Sequence, residues 1–134
     1  DGCTPMYIAS QEGHLDIMKW LYDNGGKDDV TKANNDGCTP MWIASHNGHL
    51  DIMKWLYDNG GKDDVTKANK YGYTPMFAAS QNGHLDIMKW LYDNGGKDDV
   101  TKASNDGHTP MHIASEEGHL HIIKWLNDNG GKIM

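Results

Sequence analysis

Residues 36–60 read Asp36-Gly37-Cys38-Thr39-Pro40-Met41-Trp42-Ile43-Ala44-Ser45-His46-Asn47-Gly48-His49-Leu50-Asp51-Ile52-Met53-Lys54-Trp55-Leu56-Tyr57-Asp58-Asn59-Gly60. Thr39-Pro40 opens a helix: the threonine side chain can cap the first free N–H groups, and proline is pre-set at the first helical position. The helix spans Met41 to Asn47 and stops at Gly48. A second helix is predicted from Leu50 to Asn59, with Ile52, Met53 and Leu56 forming its apolar stripe. Asp51 stands in the first turn, where the helix dipole favours a carboxylate, and Asn59-Gly60 is a C-terminal cap signal. The stretch from Gly61 to Asn69 is polar and lacks a helical period, which predicts a loop or hairpin.

The pattern is periodic. Pro5, Pro40, Pro75 and Pro110 each lie 35 residues apart, and the Gly-His-Leu triplets at 13, 48, 83 and 118 keep the same step. The 134 residues therefore divide into repeats 1–35, 36–70, 71–105 and 106–134. A step in the thirties marks a stacked array of supersecondary units. Two helices of two or three turns are marginal alone in water, so each pair must be covered by its neighbours. That explains an apolar content of only 37%, thin for a sphere but enough for a slab with a shared core. The all-α solenoid expected over 1–134 is one repeat domain.

These residues resemble the ankyrin repeat, whose Thr-Pro-Leu-His-x-Ala signature heads a turn-plus-two-helices unit. The match recurs four times and covers essentially the whole chain. The signature Leu is Met at 6, 41, 76 and 111, and the signature His survives only as His112, with Tyr7, Trp42 and Phe77 elsewhere. Aromatic packing is expected to replace the polar link of that His. The step also exceeds the family's, with the extra residues placed in Gly61-Lys62-Asp63-Asp64.

Differences between the repeats concentrate at few positions. On the first helix, residues 43, 46 and 47 share a face opposite the small apolar face of Met41, Ala44 and Ser45. The resemblance implies that hairpin tips and first helices form a concave surface that binds a protein partner. The candidate contacts are Asn35, Asp36, Cys38, Trp42, Ile43, His46, Asn47, Lys70, Tyr71, Tyr73, Phe77, Gln81, Asn82, Asn105, Asp106, His108, His112, Glu116 and Glu117. Tyr71, Tyr73 and Phe77 form the aromatic cluster expected to anchor it.

Other function classes find less support. The formal net charge is −7, and all twelve cations are Lys, which excludes a clustered Arg-rich phosphate binder and favours a protein partner of basic character over nucleic acid. There is no apolar run long enough to span a membrane. His14, His49, His84 and His119 read as turn-packing residues. His108, His112 and Glu116 are the best metal-ligand cluster, but His108 lies outside the helix, so no metal or other cofactor is expected. Asn34-Asn35-Asp36-Gly37 fails the calcium-loop pattern because Lys32 and Ile43 fall where carboxylates are required. Cys3 and Cys38, in adjacent repeats stacked about 10 Å apart, are expected to be free thiols, which suits a cytoplasmic, reducing setting. The adjacent aspartates at 28–29, 63–64 and 98–99 repeat identically and read as solvated loop charges. No singular reactive constellation appears, so no enzyme activity is expected. Trp20, Trp55, Trp90 and Trp125 predict a packing ladder, and Asn127, Ile123 and His121 make the last repeat more polar, as a terminal cap requires. The chain is expected to be a monomer. The rival to a binding module is an engineered or structural scaffold without its own target, since repeats one and two differ at only four positions.

Overall fold

The computed structural model describes residues 1–131. Eight α-helices follow one another in pairs: α1 (Pro5–Glu12) and α2 (Leu15–Leu21), α3 (Pro40–Asn47) and α4 (Leu50–Leu56), α5 (Pro75–Gln81) and α6 (Leu85–Leu91), α7 (Pro110–Glu117) and α8 (Leu120–Asp128). No strand occurs among the described residues. The fold is an all-α solenoid of repeated helix-turn-helix units.

Each first helix starts as the sequence predicts. Thr39 sits in extended backbone, and its hydroxyl accepts from the Trp42 N–H at 3.0 Å; Thr4, Thr74 and Thr109 do the same for their own helices. Gly48 ends α3 with φ 85°, a left-handed conformation that glycine enters without a Cβ clash.

First helices stack on first helices, α1 on α3, α3 on α5 and α5 on α7. Met41, Met76, Ala44 and Ala79 are fully buried in this seam. The small serine of the same face does more than fill space. Ser10, Ser45 and Ser80 are fully buried, and their hydroxyls donate to the carbonyls of Pro40, Pro75 and Pro110 in the following repeat at 2.8, 2.7 and 2.9 Å.

The Gly-His-Leu turns lock the repeats together a second time. The Nε2 atoms of His49, His84 and His119 lie 3.2, 3.1 and 3.0 Å from the carbonyl oxygens of Gln11, His46 and Gln81 in the preceding repeat. The same three rings cover the preceding turn glycines: a Cβ on Gly13, Gly48 or Gly83 would come within 2.9, 2.8 or 3.1 Å of them. These histidines are structural, as expected. On the outer side, Tyr22, Tyr57 and Tyr92 meet Trp55, Trp90 and Trp125 edge-on at 5.4, 5.5 and 5.5 Å. That is the expected aromatic ladder, with one tyrosine of each repeat set against the tryptophan of the next.

The stretch after the second helix departs from expectation. The regular helix predicted to Asn59 ends at Leu56 and widens over Tyr57–Gly61, where Gly60 takes φ 112°. The chain then enters a 3-10 turn over Lys62–Thr66, with counterparts at Lys27–Thr31 and Lys97–Val100. The predicted loop is thus helical and folded back on the core, because Val65 is apolar and 2% exposed. One apolar side chain in a single turn leaves no period to detect.

Burial also corrects the solvated reading of the paired aspartates. Asp63 remains exposed, but Asp64 and Asp99 are each 5% exposed, and one oxygen of each, Oδ2, is buried without a hydrogen-bond partner. Burial pushes both carboxyls up to about 6, against the opposing pull of Lys67 and Lys102. A carboxyl whose folded value is raised above its ordinary one favours folding at low pH, and that contribution is lost as pH rises through about 6. Replacing Asp64 and Asp99 with Asn should therefore stabilise the protein at pH 7.5, each by on the order of 1 kcal/mol. The gain should shrink between pH 7.5 and pH 5 in denaturant melts of the variants against the parent chain.

Candidate partner-binding site

Each hairpin tip is built by a single asparagine. The Asn69 side-chain oxygen accepts from the N–H groups of Tyr71 at 3.0 Å and Tyr73 at 3.1 Å, while its own N–H donates to the Tyr73 carbonyl. Asn34 closes the preceding tip in the same way on Asp36 and Cys38, and the Ser104 hydroxyl accepts from the His108 N–H in the last. Neighbouring tips are joined by backbone bonds, Asn35 N–H to the Asp1 carbonyl, Lys70 to Asp36 and Asn105 to Tyr71. The tips therefore advance in register with the helices.

The tips fold back on the first helices. Trp42 on α3 donates its Nε1–H to the carbonyl of Tyr73 in the next tip at 2.9 Å. Tyr7, Cys38, Trp42, Ile43 and Ala78 form a second apolar cluster on this side, with Cys3 and Tyr73 packed against it. Repeat three carries Ala78 where repeats one, two and four carry Ile, and Ala78 is fully buried in the cluster that holds the Trp42 ring. The tryptophan, the largest side chain at its position, is thus matched by the smallest one in the following repeat.

The candidate residues divide into floor and rim. Cys38, Trp42, Ile43 and Phe77 are 6%, 9%, 8% and 4% exposed and make up the floor. Burial pushes the Cys38 thiol above its ordinary range, against a hydrogen bond from Asn69, and Cys3 and Cys38 are free. His46 is half-buried and stacks on Trp42 at 5.3 Å, with Nδ1 2.9 Å from the Asn47 side-chain oxygen. Asn47 donates across to the Gln11 carbonyl, Asn82 donates to the Ala78 carbonyl, and Asn105 donates to that of Lys70. Gln81 is half-buried. Asn35, Asp36, Asp106, His108, Glu116 and Glu117 are exposed.

An aromatic stair climbs from floor to rim in repeat three. Tyr73 stacks on Phe77 at 4.6 Å with planes 10° apart, and Tyr71 follows at 6.0 Å. Tyr71 is 48% exposed. The Lys70 ammonium lies 5.2 Å from its ring centroid and 2.9 Å from Asp36 Oδ1. Aromatic packing does take the place of the signature histidine at Trp42 and Phe77. Where that histidine is present it works differently: His112 Nδ1 accepts from the Thr109 N–H, and the Thr109 hydroxyl accepts from the His112 N–H. His108 lies beside it at 6.1 Å, edge-on. The Trp42 bond to the next tip is the contact that sequence reasoning missed; only the paired Trp42 and Ala78 exceptions could have signalled it.

A family model described as ankyrin repeats (3 copies) matches residues 1–67 and again residues 61–134. No curated protein matches the chain. Among the described residues, no helix is long and apolar enough to cross a membrane.

Trp42→Phe should keep the floor filled but leave the Tyr73 carbonyl without its indole donor. A loss of about 1 kcal/mol in urea melts is expected, with the change in midpoint and an unchanged slope.

Proposed function

The chain belongs to the ankyrin-repeat family, and from that premise we propose that it is a non-enzymatic module holding a protein partner in the groove of hairpin tips and first helices. Ankyrin repeats generally serve protein–protein interaction, and the fold is generally non-enzymatic. The observation that carries the groove is the stair of Phe77, Tyr73 and Tyr71. It lies where the repeats differ, and it ends in a ring left 48% exposed at the rim. Large amphipathic rings supply contact area at low conformational cost and often dominate interface energetics.

Charge gives the partner its character. Asp36, Asp106, Glu116 and Glu117 surround the stair, and the chain as a whole carries −7. A partner presenting Lys or Arg beside an apolar or aromatic anchor fits this arrangement, the cation lying over tyrosine faces as Lys70 already does. The free thiols of Cys3 and Cys38 suit a reducing, cytoplasmic setting.

The test uses the difference between two tyrosines. Tyr73 supports Phe77 by stacking, so its truncation would disturb the fold as well as the surface. Tyr71 touches little that holds the fold, and Tyr71→Ala should weaken partner binding by about 1–3 kcal/mol while leaving the unfolding midpoint unchanged. The partner would be captured from lysate on immobilised chain, identified by mass spectrometry, and titrated against both forms. Equal affinity for the parent chain and Tyr71→Ala would overturn the groove reading, and absence of any saturable partner would favour the untargeted scaffold.

A further inference from the structure

The heptapeptide Leu-Asp-Ile-Met-Lys-Trp-Leu occurs at 15–21, 50–56 and 85–91. Its copies sit in different surroundings. Ile52 and Ile87 are fully buried, whereas Ile17 is 46% exposed. Trp55 and Trp90 are half-buried against the tyrosines of the preceding repeats, whereas Trp20 is 63% exposed. Ile43 and Ile113 are 8% exposed, but Ile8 is 44% exposed. His14 is exposed, while its three counterparts reach back to a preceding carbonyl. Asp29 is half-buried where Asp64 and Asp99 are buried. All five contrasts fall on one face, the side of repeat one away from repeat two.

That face keeps every group the internal junctions use. The three junctions show what such groups receive: a tyrosine ring against the tryptophan, a turn glycine beneath the histidine, and a serine hydroxyl on the proline carbonyl. The opposite end has lost part of this set. Asn127 stands where the tyrosine would be, and Ser115 donates to the Met111 carbonyl of its own helix at 2.8 Å. Repeat four therefore does not complement repeat one.

We propose that the outer face of repeat one is a docking surface for a further repeat of this chain's own type, joined ahead of Asp1 and carrying tyrosine at the position of Tyr22. The occupant is specified by chemistry. Its tyrosine meets Trp20 edge-on, its turn glycine takes the His14 ring, its serine donates to the Pro5 carbonyl, and its bulk covers Ile8 and Ile17. The surface lies at the end of the array, apart from the groove and independent of it.

The experiment places a copy of residues 36–70 directly ahead of Asp1, which preserves the register of the internal junctions. The extended chain should unfold in one transition at higher denaturant than the parent. Acrylamide quenching of Trp20, read as the difference between each chain and its Trp20→Phe variant, should fall several-fold. The same extension with Tyr57→Asn in the added copy should keep less of the gain and leave Trp20 more accessible than the tyrosine-bearing extension does. Sedimentation of the unextended chain at micromolar concentration should show a monomer. The proposal is overturned if the added repeat melts separately with Trp20 quenching unchanged. It is equally overturned if the Tyr57→Asn extension matches the intact one, or if the unextended chain forms a dimer that Trp20→Ser dissolves, since the occupant would then be a second copy.

Discussion

A buried hydroxyl must find an acceptor, and in this chain the acceptor lies in the next repeat. Ser10, Ser45 and Ser80 sit at fully buried positions on the stacking face of the first helices, and the Pro40, Pro75 and Pro110 carbonyls satisfy them. Leaving such a group unpaired costs about 1–3 kcal/mol, more than the bond itself contributes. The bond therefore acts less as glue than as a gauge of register. A repeat displaced along the stack would strand a hydroxyl in an apolar seam. Helix spacing, the fit of histidine over glycine and the meeting of tyrosine with tryptophan all presuppose this register. The tips depend on it too, because their carbonyls can pair with the next tip only when the helices behind them are aligned.

The legible part of this architecture was the part written in short-range chemistry. Thr39-Pro40, Gly48 and Asn59-Gly60 each act within a few residues, so helix starts and stops could be read without a structure. The 35-residue step exposed the stacking, and the recurring His and Trp could be assigned to it. The 3-10 turn at Lys62–Thr66 escaped because a single turn with one apolar side chain, Val65, has no period. For the same reason Asp64 passed as a solvated charge, since nothing local distinguishes it from its exposed neighbour Asp63. At the candidate site, the identity of the variable positions was legible but their depth was not. Ile43 shares a helix face with His46 and Asn47, yet the following repeat covers it, and cover of that kind comes from residues about thirty positions away.

The separation of floor from rim bears on how such a surface can change. Floor residues are coupled in pairs across repeats: Trp42 shares a cluster with Ala78, and Tyr73 stacks on Phe77. Substitutions there must arrive together or cost packing. Rim residues such as Asp36, Asn82, Glu116 and Glu117 can vary singly, because water is their main neighbour. Specificity can therefore drift at the rim while the floor stays locked, and a larger alteration of the groove requires a matched double replacement.

The equivalence of the internal junctions carries a further consequence. The junction of repeats one and two uses Ser10, Pro40, Gly13, His49, Tyr22 and Trp55; that of repeats two and three uses the same residue types in the same geometry. No lock is keyed to one neighbour. The order of the repeats is stored in covalent connectivity alone, and it is enforced during folding by the high effective concentration of the adjacent segment. In a crowded pool of partly folded chains that advantage diminishes, and a repeat of one molecule can seat on another without any mismatch to expel it. Interchangeable interfaces make the array simple to lengthen by duplication, and they leave exchange between molecules as its characteristic folding error.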